Sequence, residues 1–220
     1  MEFIKDLSVI FGLWVLFYNL GAWHREHKGK RNIELAEDIL ALFYEAVEVI
    51  RFIRHPASVS AETESIQRGE KESEREYEAR KNASIVFCRY RQHKELFNKI
   101  YSMRYRFMAQ IGKDKAKPFD ELHQMVNEIL LSARTLAVLW SKNHFISQEA
   151  ETKHYERRKK HEAIFWEKFA EEDPINPRLD KVITDIEKTC QEVIMGKGAI
   201  HGFLNRIKIK MHLTTQSSGH

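Results

Sequence analysis

The sequence predicts an all-α protein: an N-terminal single transmembrane helix followed by an antiparallel up-and-down bundle of long helices. Three observations carry that expectation. Positions 7–23 read LSVIFGLWVLFYNLGAW, with no charged residue. Four later stretches place apolar residues at alternating steps of three and four, the spacing of helices that pack at shallow angles. Glycine and proline are scarce, 9 and 4 among 220 residues, and no stretch alternates with the period of a strand.

As a helix, the run 7–23 covers about 25 Å, and Phe3 and Ile4 extend it to bilayer thickness while Lys5 and Asp6 reach the headgroups. Trp14, Tyr18 and Trp23 are the expected aromatic anchors, with Trp23 at the interface. A cleaved signal would need a basic start and a small-residue cleavage site, and MEFIKD and Leu20-Gly21-Ala22 supply neither; the other alternative to an anchor is a buried helix of a soluble core. The flank carries Arg25, Lys28, Lys30 and Arg31 against Glu26. The positive-inside rule places that side in the cytoplasm. The expected location is therefore the inner membrane, single-pass, with the N-terminus outside. Two distant cysteines, Cys88 and Cys190, read as free thiols, which suits a reducing compartment. Ser8 and Gly12 have the spacing that lets two anchors approach.

Residues 1–30 form the anchor and its basic flank, 31–212 the cytoplasmic bundle, and 213–220 a disordered tail. The first seam is Leu35, Ile39, Leu42, Ala46, Val49 and Ile53, with Asn32 as its N-cap and HPAS at 55–58 as its end. The second runs through Val86, Tyr90, His93, Phe97, Ile100, Arg104, Phe107 and Ile111, up to Gly112. The polar turn GKDKAKP at 112–118 leads to the third: Leu122, Val126, Ile129, Ala133, Leu136 and Trp140. A break near Ser147 would let 148–171 turn back. Asn176-Pro177 opens the fourth, with Leu179, Ile183, Ile186, Cys190 and Val193, and Gly196 closes it.

Residues 153–160, KHYERRKK, hold five bases and one acid. If the second and third helices pair antiparallel about 115–116, residues 83–111 face 119–147. The acidic segment 62–78 then lies near 153–169. That register sets Arg157, Arg158, Lys159 and Lys160 against Glu70, Glu72, Glu74 and Glu76, a solvated charge zipper worth a few tenths of a kcal/mol per pair. The alternative is an acidic partner, nucleic acid or anionic lipid. Tyr155 alone supplies the aromatic content a single-strand binder interleaves. Lys113, Lys115 and Lys117 either face headgroups or decorate a solvated turn. The segment 199–212 either lies on a membrane surface or finishes the bundle.

No catalytic or cofactor-binding residues are expected. A carboxylate-bridged metal bundle needs two Glu-x-x-His pairs, and the chain offers Glu151 with His154. A metalloenzyme is thus the least favoured reading, and His24 with His27 reads as solvated. GKG at 196–198 lacks the pattern of a phosphate loop. His93 reads as a core histidine, and Arg104 as a partner of Glu121 or Glu128.

Three stretches, ELAEDILALFYEAVEVIR (34–51), HKELFNKIYSMRYRFMAQIGKDKAKPFDEL (93–122) and HEAIFWEKFAEEDPINPRLD (161–180), resemble a group of bacterial membrane-anchored helical proteins without assigned activity. The resemblance covers about a third of the chain and implies no catalytic residue. The function expected is a non-enzymatic membrane-anchored scaffold or docking protein, its partners the bilayer and another protein or a second copy. The alternative is a membrane-associated effector or sensor that binds nucleic acid or anionic lipid.

Overall fold

The structure, a computed structural model, describes the backbone of residues 2–196 and the side chains of Trp23 and of 26–196. Every regular element among the described residues is helical: α1 (Glu2–Arg54), α2 (Glu74–Gln92), α3 (Lys94–Gln110), α4 (Lys117–Ser141), α5 (Gln148–Phe165) and α6 (Asn176–Ile194), with single 3-10 turns at Ser60–Glu62 and Asp114–Ala116. Two compact units divide the chain: residues 1–38 with 189–220, and Ile39–Lys188.

Among the described residues, no helix is long and apolar enough to cross a membrane. The side chains of Trp14, Tyr18 and Arg25 and the tail segments 199–212 and 213–220 lie outside the described residues. In the first unit, Trp23 is 63% exposed and stacks on His27 at 5.6 Å. Lys28, Lys30 and Arg31 are exposed. Cys190 is buried, and burial pushes its thiol up to about 12. Both cysteines are free.

The second unit carries the bundle core. The first seam is buried in it from Ile39 through Leu42, Ala46 and Val49 to Ile53, and Leu35, in the first unit, is buried as well. Helix α1 runs through Asn32, which therefore caps nothing, and it ends before HPAS as expected. The second seam is not one helix. The chain leaves helical geometry at His93 (φ −112°, ψ 12°), where α2 ends and α3 begins. His93 is half-buried, edge-on to Phe52 at 5.8 Å. In the fourth helix Val182 takes the buried place expected of Ile183.

Helix starts have local causes. Ser73 accepts from the Glu76 N–H at 3.3 Å while its own N–H donates to the Glu76 carboxylate at 2.9 Å, a capping box. Pro118 sits in the first turn of α4, where no N–H is missed. Ser147 accepts from the Ala150 N–H at 3.2 Å and starts α5, so the break expected there exists and α5 packs back on α4. Beyond Gly112, whose φ of +150° is costly for any side chain, Phe119 enters the core. It lies edge-on to Phe43 at 4.9 Å and against Phe107 at 5.1 Å. Burying such a ring is worth about 1.5–3 kcal/mol.

Helices α2 and α4 are antiparallel, but in a different register from the one expected. Arg75 donates to the Trp140 carbonyl at 3.3 Å, and Tyr90 and Val126 line one small cavity. The expected register sets 75 against 156 and 90 against 141. The joint at His93 accounts for the slip, because α2 and α3 are free to pack on α4 independently.

Candidate functional site

Helix α5 carries the basic run, and its two faces differ. On the inner face, Phe165 is buried edge-on to Trp140 at 5.4 Å, and the Trp140 indole donates to Glu162 at 2.7 Å. His161 Nδ1 and the buried Ser132 hydroxyl share a hydrogen bond of 3.0 Å. Burial, with Arg157 and Lys160 adding to it, lowers the His161 pKa, so this ring is neutral near pH 7. Arg158 leans inward, 3.4 Å from Glu162 and 5.4 Å over the Tyr155 ring. On the outer face Arg157, Lys159 and Lys160 are exposed.

The charge zipper expected from the sequence does not form: no ion pair among the described residues joins 62–78 to 153–160. Of the four acids expected there, Glu72, Glu74 and Glu76 are engaged close by in the chain. Glu62 pairs with Arg89 at 2.7 Å, Glu72 with Arg80 at 2.7 Å and Glu74 with Arg68 at 2.7 Å, while Glu76 closes the cap of α2. Both causes are geometric: the α2–α4 register differs, and α5 turns back instead of prolonging α4.

Glu72 shows how firm the local pairing is. Hydrogen bonds from the Arg80 guanidinium, helped by the Gly69 N–H, pull its carboxyl from 4.5 down to about 2. The sign follows from linkage: the stabilisation is complete above pH 4.5 and is lost as pH falls toward 2. Glu72→Gln should therefore flatten acid unfolding across that window, measured by circular dichroism. An unchanged acid limb would refute the pairing.

Of the turn lysines, Lys113 is exposed and Lys117 pairs with Glu121 at 3.2 Å. Lys115 is half-buried and engaged within the protein. Arg104 pairs with Asp120, at 2.9 Å and 3.0 Å, and not with Glu121 or Glu128. Glu128 instead takes both guanidinium nitrogens of Arg178, at 2.6 Å and 3.1 Å.

Sequence reasoning misses two buried arginines. Arg89, 1% exposed, grips the Glu62 carboxylate through Nε at 2.7 Å and a terminal nitrogen at 3.1 Å. It also donates to the carbonyls of Phe52, His55 and Ala57 at 3.0, 2.6 and 2.6 Å. A cation there satisfies carbonyls that the end of α1 leaves open and complements its negative dipole end. Arg54, 0% exposed, does the same for α5, donating to the carbonyls of Ala163, Ile164 and Trp166 at 3.0, 2.8 and 3.2 Å. It also donates to Asp173 at 2.9 Å and Asn176 at 3.0 Å, at the start of α6. Burial alone would raise the Asp173 pKa, but Arg54 and the backbone N–H groups of Asn176, Lys168 and Ile175 hold it below its ordinary value. Lys168 adopts a left-handed φ of 57°, and its N–H donates to Asp173 at 3.0 Å.

No group of three or more His, Cys, Asp or Glu among the described residues is placed to hold a metal ion. Glu151 is exposed, and His154 lies against Phe145, the rings tilted by 54° with centroids 4.7 Å apart. The class of protein defined by the described residues is a helical bundle fastened by buried arginine clamps. The chain matches no protein-family model, no curated protein and no solved structure.

Proposed function

We propose that this protein is a membrane-anchored helical docking protein, without catalytic activity of its own, that offers the outer face of α5 to an acidic protein partner. The observation that carries the reading is the state of the basic run: Arg157, Lys159 and Lys160 point to solvent, and of the acids expected to neutralise them Glu72, Glu74 and Glu76 are engaged elsewhere. Exposed, predominantly basic charge on a rigid helix, here with the exposed Glu156 among the bases, steers association and chooses partners by complementarity. The clamps at Arg54 and Arg89 supply the rigidity.

Anchorage is inferred from the sequence alone, from the uncharged run 7–23 and the basic flank Arg25, Lys28, Lys30 and Arg31; among the described residues no helix is long and apolar enough to cross a membrane. Under this reading the protein sits in the inner membrane with the bundle on the cytoplasmic side. Carbonate washing of membranes should leave the full chain in the pellet and detergent should release it; release by carbonate would remove the anchor from the account.

Docking is tested by capture from detergent-solubilised native membranes with the full chain and with Arg157→Glu/Lys159→Glu/Lys160→Glu. The expected result is a reproducible acidic partner lost by at least tenfold in the charge-reversed protein, with folding unchanged. Equal capture by both proteins would refute it. A second reading, polyanion or anionic-lipid binding by the same face, rests on the same exposed bases. It predicts affinity for RNA or anionic vesicles that falls steeply with salt.

A further inference from the structure

We propose that the pocket between α3 and α4 binds a small, uncharged, single-ring heteroaromatic compound. The pocket measures ≈ 90 Å³ and opens to solvent on one side. An engineered apolar cavity of about 150 Å³ admits benzene; this space is smaller but open at its mouth, so it takes at most one ring and not a fused pair.

Its floor is apolar: Ile100, Phe119 and Leu122 are buried there. Its walls are aromatic pairs close to parallel. Tyr90 and Phe97 lie 5.5 Å apart at 25°, and Tyr101 and His123 lie 4.9 Å apart at 30°. Ring faces and edges set this way accept another flat ring by offset or edge-on contact. Asn98 and Asn127 stand exposed at the rim, and their side-chain amides hydrogen-bond to nothing else among the described residues. Each amide offers two donors and an acceptor, the complement of a ring that carries both on one edge.

The lining sets the ligand's charge. None of the ten lining residues is Asp, Glu, Lys or Arg. A carboxylate or phosphate entering would lose hydration without gaining a counter-ion. The pocket exists because the joint at His93 separates α3 from α2, and α3 then fully buries two side chains, Ile100 and Phe107. An apolar floor with a few polar groups at the mouth is the usual form of a small-molecule site.

The test uses the full chain in detergent micelles, uniformly labelled for two-dimensional NMR. Uracil and nicotinamide serve as probes, benzene as the purely apolar comparison and benzoate as the charged one. Uracil or nicotinamide should shift Asn98, Tyr101, His123 and Asn127 with a dissociation constant of about 0.1–1 mM, the range open to so few atoms. Benzene and benzoate should bind at least tenfold more weakly. Asn127→Phe, which closes the mouth from an exposed position, should weaken binding at least tenfold. Asn98→Leu keeps the floor intact, and it should lose uracil while retaining whatever benzene binds. Absence of shifts from both polar probes, benzene binding as tightly as uracil, or unchanged binding in both variants would each overturn the proposal.

Discussion

Arg89→Ala should lower the unfolding free energy of the protein by about 3–5 kcal/mol, the usual cost of removing one partner from a buried ion pair. The physical reason is what the arginine leaves behind. Glu62, whose carboxyl is held below its ordinary pKa by the Arg89 hydrogen bond, would lose its counter-ion. The carbonyls of Phe52, His55 and Ala57 would lose their donor in a partly buried site. The aliphatic stem and the contact of the guanidinium over Phe52, at 5.1 Å, would go as well. Arg89→Lys should recover little, because an ammonium cannot span Glu62 and three carbonyls from one position. Denaturant unfolding of the full chain checks both variants. A loss below about 1 kcal/mol for Arg89→Ala would show that the site hydrates freely, against the usual cost of an orphaned buried group.

Arg54→Ala should cost a similar amount, about 3–5 kcal/mol, and its effect should be local to a different place. Three carbonyls at the end of α5, the Asp173 carboxylate and the Asn176 amide all depend on this one side chain. Hydrogen exchange followed by mass spectrometry should therefore rise most over residues 160–176 and least over the centre of α4. Uniform acceleration along the whole chain would mean that Arg54 supports the fold generally and does not fasten this junction. Asp173→Asn keeps an acceptor for the backbone N–H groups but removes the charge, and should recover part of the protection that Asp173→Ala loses.

Much of the bundle was legible because its helices are amphipathic. The stripe Leu35 to Ile53 and the stripe Leu122 to Leu136 are periodic, so burial followed from spacing alone. Ser147 and Asn176-Pro177 marked helix starts by their chemistry, and Ser73-x-x-Glu76 carried a capping-box signal that went unread. The joint at His93 was not legible, since the apolar period continues through it. The clamps were hidden for another reason. Arg54 and Arg89 have the composition of exposed helix positions, and only partners far along the chain make their burial tolerable. Charge pairing failed as a guide because it was inferred from height along an assumed register. When α2 slid along α4, Glu72 and Glu74 found Arg80 and Arg68 nearby. The basic run was correctly found as a segment, but its surroundings depended on a turn whose direction no residue type specified.

Arg54 reaches partners that lie 109 to 122 positions later in the chain. At a ribosomal pace of ~5–20 residues per second, that separation is roughly 6–24 s of synthesis. Throughout that interval the nascent polypeptide carries a guanidinium with no lasting counterpart, although Phe119, the partner of Phe43, is made within it. The Arg54 junction at the end of α1 can be completed only after translation has passed Asn176, so a product truncated before that point would leave this buried guanidinium without its full set of partners.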